Sequence, residues 1–207
     1  MKVELTAITP EAELHCEKAA RECYDSVGKM KDPSKASNLV KSCTVSDHLT
    51  INGHAMASFR ITGISRGLSH QLVRHRHACF SQRSQRYVKE DNFEYVIPSH
   101  VDPKHKFEFM KDMKTIQDMY DKYIAMGWKA EDARAVLPNA CATKLHMSMS
   151  FEGWLHFLRR RMDKHAQEEI RDLAFEIYRN LHRECPKIFN ETTIMAPRKL
   201  TIDWSKV

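Results

Sequence analysis

The strongest constraint on this chain is a stretch without acidic residues, which lies between Asp47 and Glu90. Six arginines inside it have no nearby sequence partner to neutralise them: Arg60, Arg66, Arg74, Arg76, Arg83 and Arg86. Elsewhere acidic and basic residues are interspersed, as on an ordinary solvated surface. Because the planar guanidinium group suits phosphate, the cluster predicts an anion-binding site. A solvated basic face or a nucleic-acid-binding stripe remains the alternative at this point.

Length and composition bound the class of protein. The 207 residues suffice for one domain with a sizeable core, predicted over residues 1–207. The net charge of +6 favours anionic ligands but is modest for a dedicated nucleic-acid binder. No apolar signal core and no run of membrane-spanning length is visible. The six cysteines form no C-x-x-C pair and the twelve histidines no metal-binding pattern, so we expect reduced thiols, no metal and a cytoplasmic location.

Hydrophobic periodicity predicts more helices than strands. Helices are expected over residues 10–24, 34–42, 65–74, 106–126, 130–137, 151–161 and 165–182, and strands over 55–61, 86–88, 93–98 and 143–150. Thr9 followed by Pro10 predicts the start of the first helix, and Gly63 the end of the first strand. The segment between Arg74 and Arg86 is predicted to be a loop. Because strands and helices do not alternate regularly, the pattern predicts an α+β fold.

The order of residues within the acid-free stretch is specific. Arg74-His75-Arg76 is followed, after seven residues, by Ser84 and then Gln85-Arg86. The segment SRGLSHQLV (65–73) leads into this motif, ARAVLP (133–138) contains a second arginine element, and RMDKHAQ (161–167) a third. In this order the elements resemble the signature of the flavin-dependent thymidylate synthases. The resemblance covers most of the chain and implies that family's fold, with helices around a small, mostly antiparallel sheet.

The implied reaction, methylation at C5 of a uracil ring, makes several demands on a protein. The ring becomes electron-rich when a cation stabilises negative charge on N3 and O4, or when a serine or cysteine adds at C6. The nucleotide's 5′-phosphate and the flavin's pyrophosphate each need basic groups. Such a chain therefore needs several arginines with different tasks.

The resemblance implies a dUMP site. Its positions are matched by Gln71, Leu72, Val73, Arg74, Gln82, Arg83, Ser84, Gln85, Arg86, Arg134 and Arg161. Arg161 matches the arginine implicated in ionising N3, and so in catalysis. Ser84 is also in the catalytic set, but binding the phosphate or capping a turn is favoured over a nucleophilic role, because no base is assured beside it. Cys79 is expected to be a small buried thiol rather than a nucleophile.

The resemblance also implies FAD as the cofactor. Its positions are matched by Thr50, Arg74, His75, Arg76, Gln82, Ser150, Glu152 and His156. His48 matches a histidine near the flavin and folate side and completes the catalytic set. The implied one-carbon donor is 5,10-methylenetetrahydrofolate, and NADPH is the implied reductant. The family builds its sites across the subunits of a homotetramer, so Arg134 and Arg161 are expected to serve a neighbouring subunit's ligands.

Three places depart from the family pattern. Gly53 stands where a glutamate commonly precedes the second histidine, and Ser150 and Glu152 stand where the family has Asn-x-Arg. Glu168 replaces a tryptophan that often follows His-Ala-Gln. A glutamate in place of an arginine at a flavin-contacting position is expected to weaken pyrophosphate binding unless the side chain points away.

Two other functions remain open. The first is alkylation of UMP or a deoxycytidine nucleotide by a repurposed relative. The nucleotide-side arginines are intact while the departures fall on the flavin side, and this fits either such a relative or a divergent thymidylate synthase. The second is a non-catalytic nucleic-acid-binding module, in which Phe80 and Tyr87 offer stacking faces. The wide spacing of the arginines along the chain argues against such a module, because a folded site is needed to bring them together.

Overall fold

A computed structural model describes residues 1–196 and 200–207 and shows the predicted α+β fold. Its helices are α1 (Ala12–Glu22), α2 (Leu39–Val45), α3 (Arg66–Leu72), α4 (Pro103–Ala125), α5 (Ala130–Ala133), α6 (Phe151–Arg161), α7 (Glu168–Glu184) and α8 (Glu191–Met195). Short 3₁₀ turns lie at Val27–Lys29, Leu49–His54, Arg134–Val136 and Trp204–Lys206. The strands are β1 (Lys2–Ile8), β2 (Met56–Ser65), β3 (Cys79–Gln82) and β4 (Ala142–Ser150).

The strands form an antiparallel sheet in the order β1-β2-β4-β3. The register of β2 and β4 places the hydroxyls of Ser58 and Ser148 2.7 Å apart. On both strands, buried apolar residues alternate with more exposed ones, among them Phe59 on β2 and Met147 on β4. This alternation follows from the two-residue period of a strand and places one apolar face of each strand in the core.

The chain divides into two compact units. Unit 1 consists of Met1–Lys2, Ile61–Arg74 and Phe80–His146. Its core contains Phe93, Met113 and Cys141, with the aromatic and aliphatic face of α4 packed around them. The Gln117 side chain on α4 accepts a hydrogen bond from the Phe93 amide (2.8 Å), which joins the helix to the segment that precedes it.

Unit 2 consists of Val3–Arg60, His75–Cys79 and Met147–Val207. Helix α6 lies at its centre, and its buried residues recur at three- and four-residue steps from Phe151 to Leu158. The Trp154 indole donates to the Ala57 carbonyl (3.1 Å), and its ring contacts Phe59 edge-on at 5.1 Å. This packing fixes the rotation of α6, and therefore the direction of the polar side chains on its other face.

Several sequence predictions are confirmed: α3, α4, α6 and β4 lie within about three residues of the expected bounds. The predicted start of the first helix, at Pro10, was wrong. Helix α1 begins at Ala12, after Glu11, whose φ is 47°. Thr9 instead pairs with Met56, the first residue of β2, through bonds of 3.0 and 2.9 Å. Gly63 does not end β2; the strand continues through it with φ of +68°, a conformation that favours glycine.

The predicted strands at residues 86–88 and 93–98 were wrong. Residues 86–88 form a turn, in which the Val88 amide donates to the Ser84 carbonyl (3.1 Å). Residues 93–98 make only an isolated bridge, between Tyr95 and Cys141. Strands β1 and β3 were not predicted. β3 is short and carries mixed residues, and it pairs with β4, where the Arg83 amide donates to the Lys144 carbonyl (3.0 Å).

No helix among the described residues is both long and apolar enough to cross a membrane.

Candidate active site

Arg66 connects two of the segments that the sequence assigned to the nucleotide. The Ser65 hydroxyl caps α3 by accepting from the Leu68 amide (2.9 Å), and Arg66 is the first residue of that helix. Its Nη1 donates to the carbonyl of Arg83 (3.3 Å). Burial lowers the pKa of Arg66, and the nearby positive charge of Arg134 lowers it further. The fold therefore places two arginines from distant segments close together.

Glu131 joins two other predicted nucleotide-binding residues. Its carboxylate accepts from Arg86 Nε at 3.0 Å, and its backbone carbonyl accepts from Arg134 Nε at 3.1 Å. Arg134 lies where α5 changes into a 3₁₀ turn, which turns its side chain back towards Glu131. We call Arg66, Arg83, Arg86 and Arg134 the arginine cluster. Its members come from three distant segments of unit 1.

Arg83 is paired more firmly than the sequence indicated. Its Nη1 forms a salt bridge with the buried carboxylate of Glu90, which raises the pKa of Arg83. The backbone of Glu90 is held in turn by the Tyr120 hydroxyl (3.2 Å) and the Gln117 amide (3.0 Å). A cavity of about 330 Å³, also lined by Thr143, lies beside this pair.

The expectation that the acid-free stretch lacks counter-charges needs correction for three arginines. Glu4 pairs with Arg60 at 2.7 Å, and Arg83 and Arg86 pair with the two glutamates described above. Glu4 and Glu131 are distant in sequence from their arginines, and Glu90 lies just beyond the stretch. The local sequence therefore does not indicate these pairings.

The remaining nucleotide-side residues differ in what they offer a ligand. The Ser84 hydroxyl accepts from the Arg86 amide (3.1 Å) and so caps the turn. Gln82 donates to the Thr143 hydroxyl at 3.2 Å, which anchors its side chain beside β4. Leu72 is fully buried, so its side chain belongs to the core, and only its backbone can serve a ligand. The other members of this set are Gln71 and Gln85, which are half-buried and buried, and Val73 and Arg74, which are exposed.

A second group of predicted residues meets at the C-terminal turn of α6. Arg161 Nε donates to Nε2 of His75 at 3.1 Å, so that nitrogen is unprotonated. The His75 ring lies edge-on to Phe157, with centroids 5.0 Å apart and an interplanar angle of 67°. Burial, followed by the charge of Arg161 and its neighbours on α6, lowers the pKa of His75 to about 4. His75 is therefore neutral at pH 7.

His156 and Arg160 adjoin this pair. Arg160 Nε donates to His156 Nε2 at 3.2 Å, and the ring of His156 lies 6.3 Å from that of His75. Burial and the charge of Arg160 lower the pKa of Arg161. We call His75, His156, Arg160 and Arg161 the histidine–arginine cluster. Its N–H groups and positive charges make it a chemical match for an anionic ligand.

Two of the departures from the family pattern are neighbours in unit 2. Glu152 lies in the first turn of α6, and its Oε2 is 3.5 Å from the position that a Cβ atom on Gly53 would occupy. The Ser150 hydroxyl accepts from the Gly153 amide (3.2 Å) and so caps α6. Gly53 has no side chain, and the Glu152 carboxylate lies next to the space that a Cβ atom at this position would occupy.

Four predicted residues are exposed and stand apart from these contacts. His48 and Thr50 lie at the start of the 3₁₀ turn Leu49–His54, while Arg74 and Arg76 flank His75. Within residues 1–196 and 200–207, no side-chain hydrogen bond joins any of the four to another predicted site residue. Cys79 is exposed at the start of β3, so the expectation of a buried thiol was wrong.

Sequence reasoning gave no role to three residues that organise the arginine cluster. Arg66 was visible as one of the six arginines, but only the fold shows its contact with the Arg83 carbonyl. Glu131 is 45 residues from Arg86, and no local pattern indicates their pairing. Glu90 marked the end of the acid-free stretch and was not recognised as the partner of Arg83. In the described ranges, no group of three or more His, Cys, Asp or Glu side chains is arranged to hold a metal ion.

Comparison with known proteins gives a consistent result. Residues 4–187 match the family described as "Thymidylate synthase complementing protein". The chain is 40% identical over 200 residues to the flavin-dependent thymidylate synthase of Geobacter sulfurreducens, a match that covers 92% of this chain and 86% of that protein. It is 38% identical over 212 residues to the protein of the same name from Clostridium tetani, covering 91% of this chain and 85% of that protein.

Proposed function

Because this chain belongs to the family of flavin-dependent thymidylate synthases, we propose that it methylates C5 of dUMP to form dTMP. FAD is the proposed cofactor, 5,10-methylenetetrahydrofolate the one-carbon donor and NADPH the reductant. The observation that carries the proposal is the arginine cluster, which links three distant segments of unit 1. Arg66 bonds to the Arg83 carbonyl and feels the charge of Arg134, while Arg86 and Arg134 both bond to Glu131. A nucleotide phosphate is the ligand chemistry that such a set of donors suits.

Arg86 and Arg134 are the proposed phosphate ligands. Arg86 is about half exposed (52%), and a solvent-screened ion pair of this kind contributes only about 0–1 kcal/mol. A phosphate dianion that forms charge-assisted bonds therefore competes successfully with Glu131 for Arg86. The Ser84 hydroxyl shapes the turn that presents the Arg86 backbone, so its expected role is positioning.

Arg83 is expected to serve the nucleotide through its backbone. Its side chain pairs with Glu90, whose carboxylate is 5% exposed. Separating a buried ion pair leaves an uncompensated charge and costs about 3–5 kcal/mol, more than the net value of a new phosphate contact. The guanidinium group therefore stays with Glu90, and the same pair holds the backbone of the turn in place.

Arg161 is the proposed activating group for the uracil ring. Its guanidinium is always protonated at neutral pH, and a cation beside N3 and O4 stabilises the negative charge that develops when C5 acts as a nucleophile. Such a charge-stabilising donor is worth about 100- to 1000-fold in turnover. The hydrogen bond to His75 gives Arg161 a fixed orientation for this task.

The histidine–arginine cluster fits an anionic cofactor by the chemistry of its donors. His75, His156 and Arg76 would hold FAD, with Thr50 and Arg74 as further contacts. The chemistry supplied by a bound reduced flavin is hydride donation in the transfer of the one-carbon unit. Glu152 is half-buried in the first turn of α6, and its negative charge is expected to oppose an anion bound at this place. His48 is the proposed contact on the folate side.

The assembly we propose is a homotetramer located in the cytoplasm. In this arrangement Arg134 and Arg161 serve ligands held partly by a neighbouring subunit, as the family resemblance implies. UMP and deoxycytidine nucleotides are the competing substrates, because the phosphate contacts proposed here do not distinguish among these nucleotides.

Release of tritium from C5-labelled dUMP tests the proposal directly. The assay contains FAD, NADPH and 5,10-methylenetetrahydrofolate, with labelled UMP measured in parallel. Release from dUMP that depends on both flavin and folate is the expected result. Release from UMP alone would show that UMP, and not dUMP, is the substrate. The absence of release from both would refute C5 methylation of these two nucleotides.

A further inference from the structure

One carboxylate organises the turn 162–167, which follows Arg161 and joins α6 to α7. Oδ1 of Asp163 accepts from the His165 amide at 3.0 Å and from the Nδ1–H of the His165 ring at 2.7 Å. Oδ2 accepts from the Thr201 amide at 3.0 Å. Burial opposes the charged form of Asp163, but these bonds outweigh it and lower the pKa of the carboxyl group. The carboxylate is therefore ionised at neutral pH, and charge-assisted bonds hold the turn.

The last of these donors belongs to a distant segment, residues 201–206, which we call the strap. The Thr201 amide is 38 residues from the carboxylate that it contacts. The strap also pairs with the turn through its backbone, because the Lys164 amide donates to the Thr201 carbonyl at 2.8 Å and Ile202 forms an antiparallel bridge with Asp163. Both hydrogen bonds use the backbone of Thr201, so they do not depend on its exposed side chain.

The other end of the strap is anchored on α7. The Trp204 ring meets the ring of Tyr178, a buried residue, edge-on with centroids 5.5 Å apart. The Lys206 carbonyl accepts from Arg179 Nη2, and the Lys206 Nζ lies 3.3 Å from the Asp172 carboxylate. Since one face of α7 is buried in the core, the strap ties the turn to a firmly packed helix.

The turn lies where α6 is least protected against unwinding. The last four carbonyl groups of a helix lack intrahelical partners, so helix ends fray. Helix α6 ends at Arg161, and the amide of the next residue, Met162, donates to the Leu158 carbonyl at 2.9 Å. The Met162 side chain is fully buried. By holding the residues that follow directly, the strap opposes unwinding of the helical turn that carries Arg161.

We propose that the strap is a positioning element for the activating arginine: through Asp163 it orders the turn 162–167 and keeps Arg161 in its helical position beside His75. This inference rests on the proposed function, since it takes Arg161 as the activating group. Asp163 and Thr201 act through that arginine and are therefore positioning residues. The inference leaves the contact between His75 and FAD, which the proposed function includes, unchanged.

Thr201→Pro tests the strap, because proline lacks the amide that donates to Asp163, whereas Thr201→Ala retains it. Hydrogen exchange of the peptide that spans the turn, measured by mass spectrometry, should accelerate about 10- to 100-fold in Thr201→Pro, as expected for the loss of a hydrogen bond to a charged group. Thr201→Ala should stay within about twofold of the wild type, since only an exposed side chain changes. Equal exchange in Thr201→Pro and the wild type would overturn the proposal.

Turnover shows whether the strap acts through Arg161. Thr201→Pro should lower kcat about 10- to 100-fold, because a small displacement of a catalytic group is costly. The dissociation constant for dUMP should change less than about threefold, because the proposed phosphate ligands, Arg86 and Arg134, lie in unit 1. In the Arg161→Ala background, Thr201→Pro should change kcat less than about twofold. An equal fall of kcat in both backgrounds would overturn the proposal and assign the strap to general stability.

Trp204→Ala provides a second test if Thr201→Pro does not fold. It removes the anchor on Tyr178 and leaves the sequence of the turn unchanged, so the same peptide should exchange faster and kcat should fall. Lys206→Ala is the matched control, because it removes only a partly exposed ion pair and keeps the carbonyl that accepts from Arg179. Exchange and kcat equal to the control in Trp204→Ala would overturn the proposal.

Failure of the proposed function is distinguishable from failure of this inference. If the proposed function fails, the wild-type protein releases no tritium from dUMP, while hydrogen exchange in Thr201→Pro still decides whether the strap orders the turn. If only the inference fails, the wild type releases tritium and the strap variants match their controls.

Discussion

The arginine cluster of unit 1 and the histidine–arginine cluster of unit 2 hold their cations in different ways. Arg83 and Arg86 pair with glutamates, so negative charge from the protein already balances them. Arg161 instead donates to a neutral imidazole, which orients the guanidinium without cancelling its charge. The exposed pair of Arg86 suits a group that exchanges its partner for phosphate, whereas the buried pair of Arg83 holds the turn in place. The neutral partner of Arg161 suits a group whose field acts on a reacting ring.

The two kinds of partner fit the two tasks that we propose for arginine in this chain. A carboxylate partner balances the charge of a guanidinium group and orders it before the ligand binds. A phosphate dianion can displace that carboxylate where solvent screens the ion pair. A carboxylate beside a group that stabilises developing negative charge would oppose that task. A neutral acceptor such as His75 orients the cation and avoids the opposition.

The largest predicted effect is that of Arg161→Ala. Turnover measured by tritium release should fall by about 100- to 1000-fold, because a preorganised charge beside the ring is lost. Circular dichroism and the melting temperature should stay near those of the wild type. Arg183→Ala is the matched control, since Arg183 is an exposed arginine paired with the adjacent Glu184 and has no proposed role. Equal turnover in the two variants would contradict the role of Arg161.

Arg86→Ala should act on affinity more than on turnover. Loss of a charge-assisted bond to phosphate corresponds to about 1.5–3 kcal/mol, or about a 10- to 100-fold weaker dissociation constant for dUMP. Arg86→Lys should fall between Ala and the wild type, because the charge remains and the fork is lost. Arg60→Ala is the control, since Arg60 also pairs with a glutamate but has no assigned role. A similar loss in that control would indicate a general charge effect.

Ser84→Ala is expected to have a smaller effect of the same kind. The turn loses one hydrogen bond, from the Arg86 amide to the Ser84 hydroxyl, worth about 1 kcal/mol. The affinity for dUMP should weaken about fivefold, as measured by isothermal titration, while turnover at saturation changes little. Complete inactivity with unchanged affinity would instead assign Ser84 as the nucleophile.

Stability should depend on pH through His75. Burial and neighbouring cations lower its pKa from 6.5 to about 4, so the unfolded state binds more protons between these values. The free energy of unfolding should therefore rise with pH from about 4 to about 6.5, with a contribution on the order of 1 kcal/mol after allowance for solvent screening. Urea unfolding at pH 5 and pH 7 measures this contribution, and His75→Gln should remove it. An unchanged pH dependence in that variant would assign the effect to other groups.

Glu152→Gln has the smallest predicted effect, on the flavin side. Removing a negative charge near a proposed anion site should tighten FAD binding by about two- to fivefold, which corresponds to less than about 1 kcal/mol. Gly53→Ala is a steric control. Its added Cβ would meet Glu152 at an ordinary contact distance of 3.5 Å, so stability should change by less than about 0.5 kcal/mol. Weaker FAD binding in Glu152→Gln would mean that the carboxylate contributes a favourable contact.

The elements that could be predicted are those with a local cause. Helix α6 repeats its apolar residues at three- and four-residue steps and begins at a serine cap, so its bounds followed from sequence. Strand β3 has no comparable pattern, because its pairing with β4 depends on residues about 60 positions away. The turn at residues 86–88 was missed because its side-chain bond to Ser84 outweighs the strand preference of its residues.

The candidate site also has features with a local cause, which could be predicted, and features that depend on distant residues, which could not. The motif order identified the family, and family membership replaces the alternative of a non-catalytic nucleic-acid-binding module with a methyltransferase. The individual contacts could not be predicted, because each joins distant segments. Glu131 with Arg86 and His75 with Arg161 are examples, and both pairings depend on how the helices are packed. Assignments to dUMP and FAD positions stay predictions.

The three consecutive arginines at the end of α6 show how a helix divides a charge run into separate tasks. Arg159 is buried and bonds to Asp47 (3.1 Å) and to the Thr193 carbonyl (2.8 Å), whereas the next two arginines contact the two histidines. Successive residues on a helix point about 100° apart, so each side chain meets a different environment. A one-residue deletion before them would move every arginine to its neighbour's direction. We expect α6 to tolerate substitutions on its exposed face far better than any change in its length.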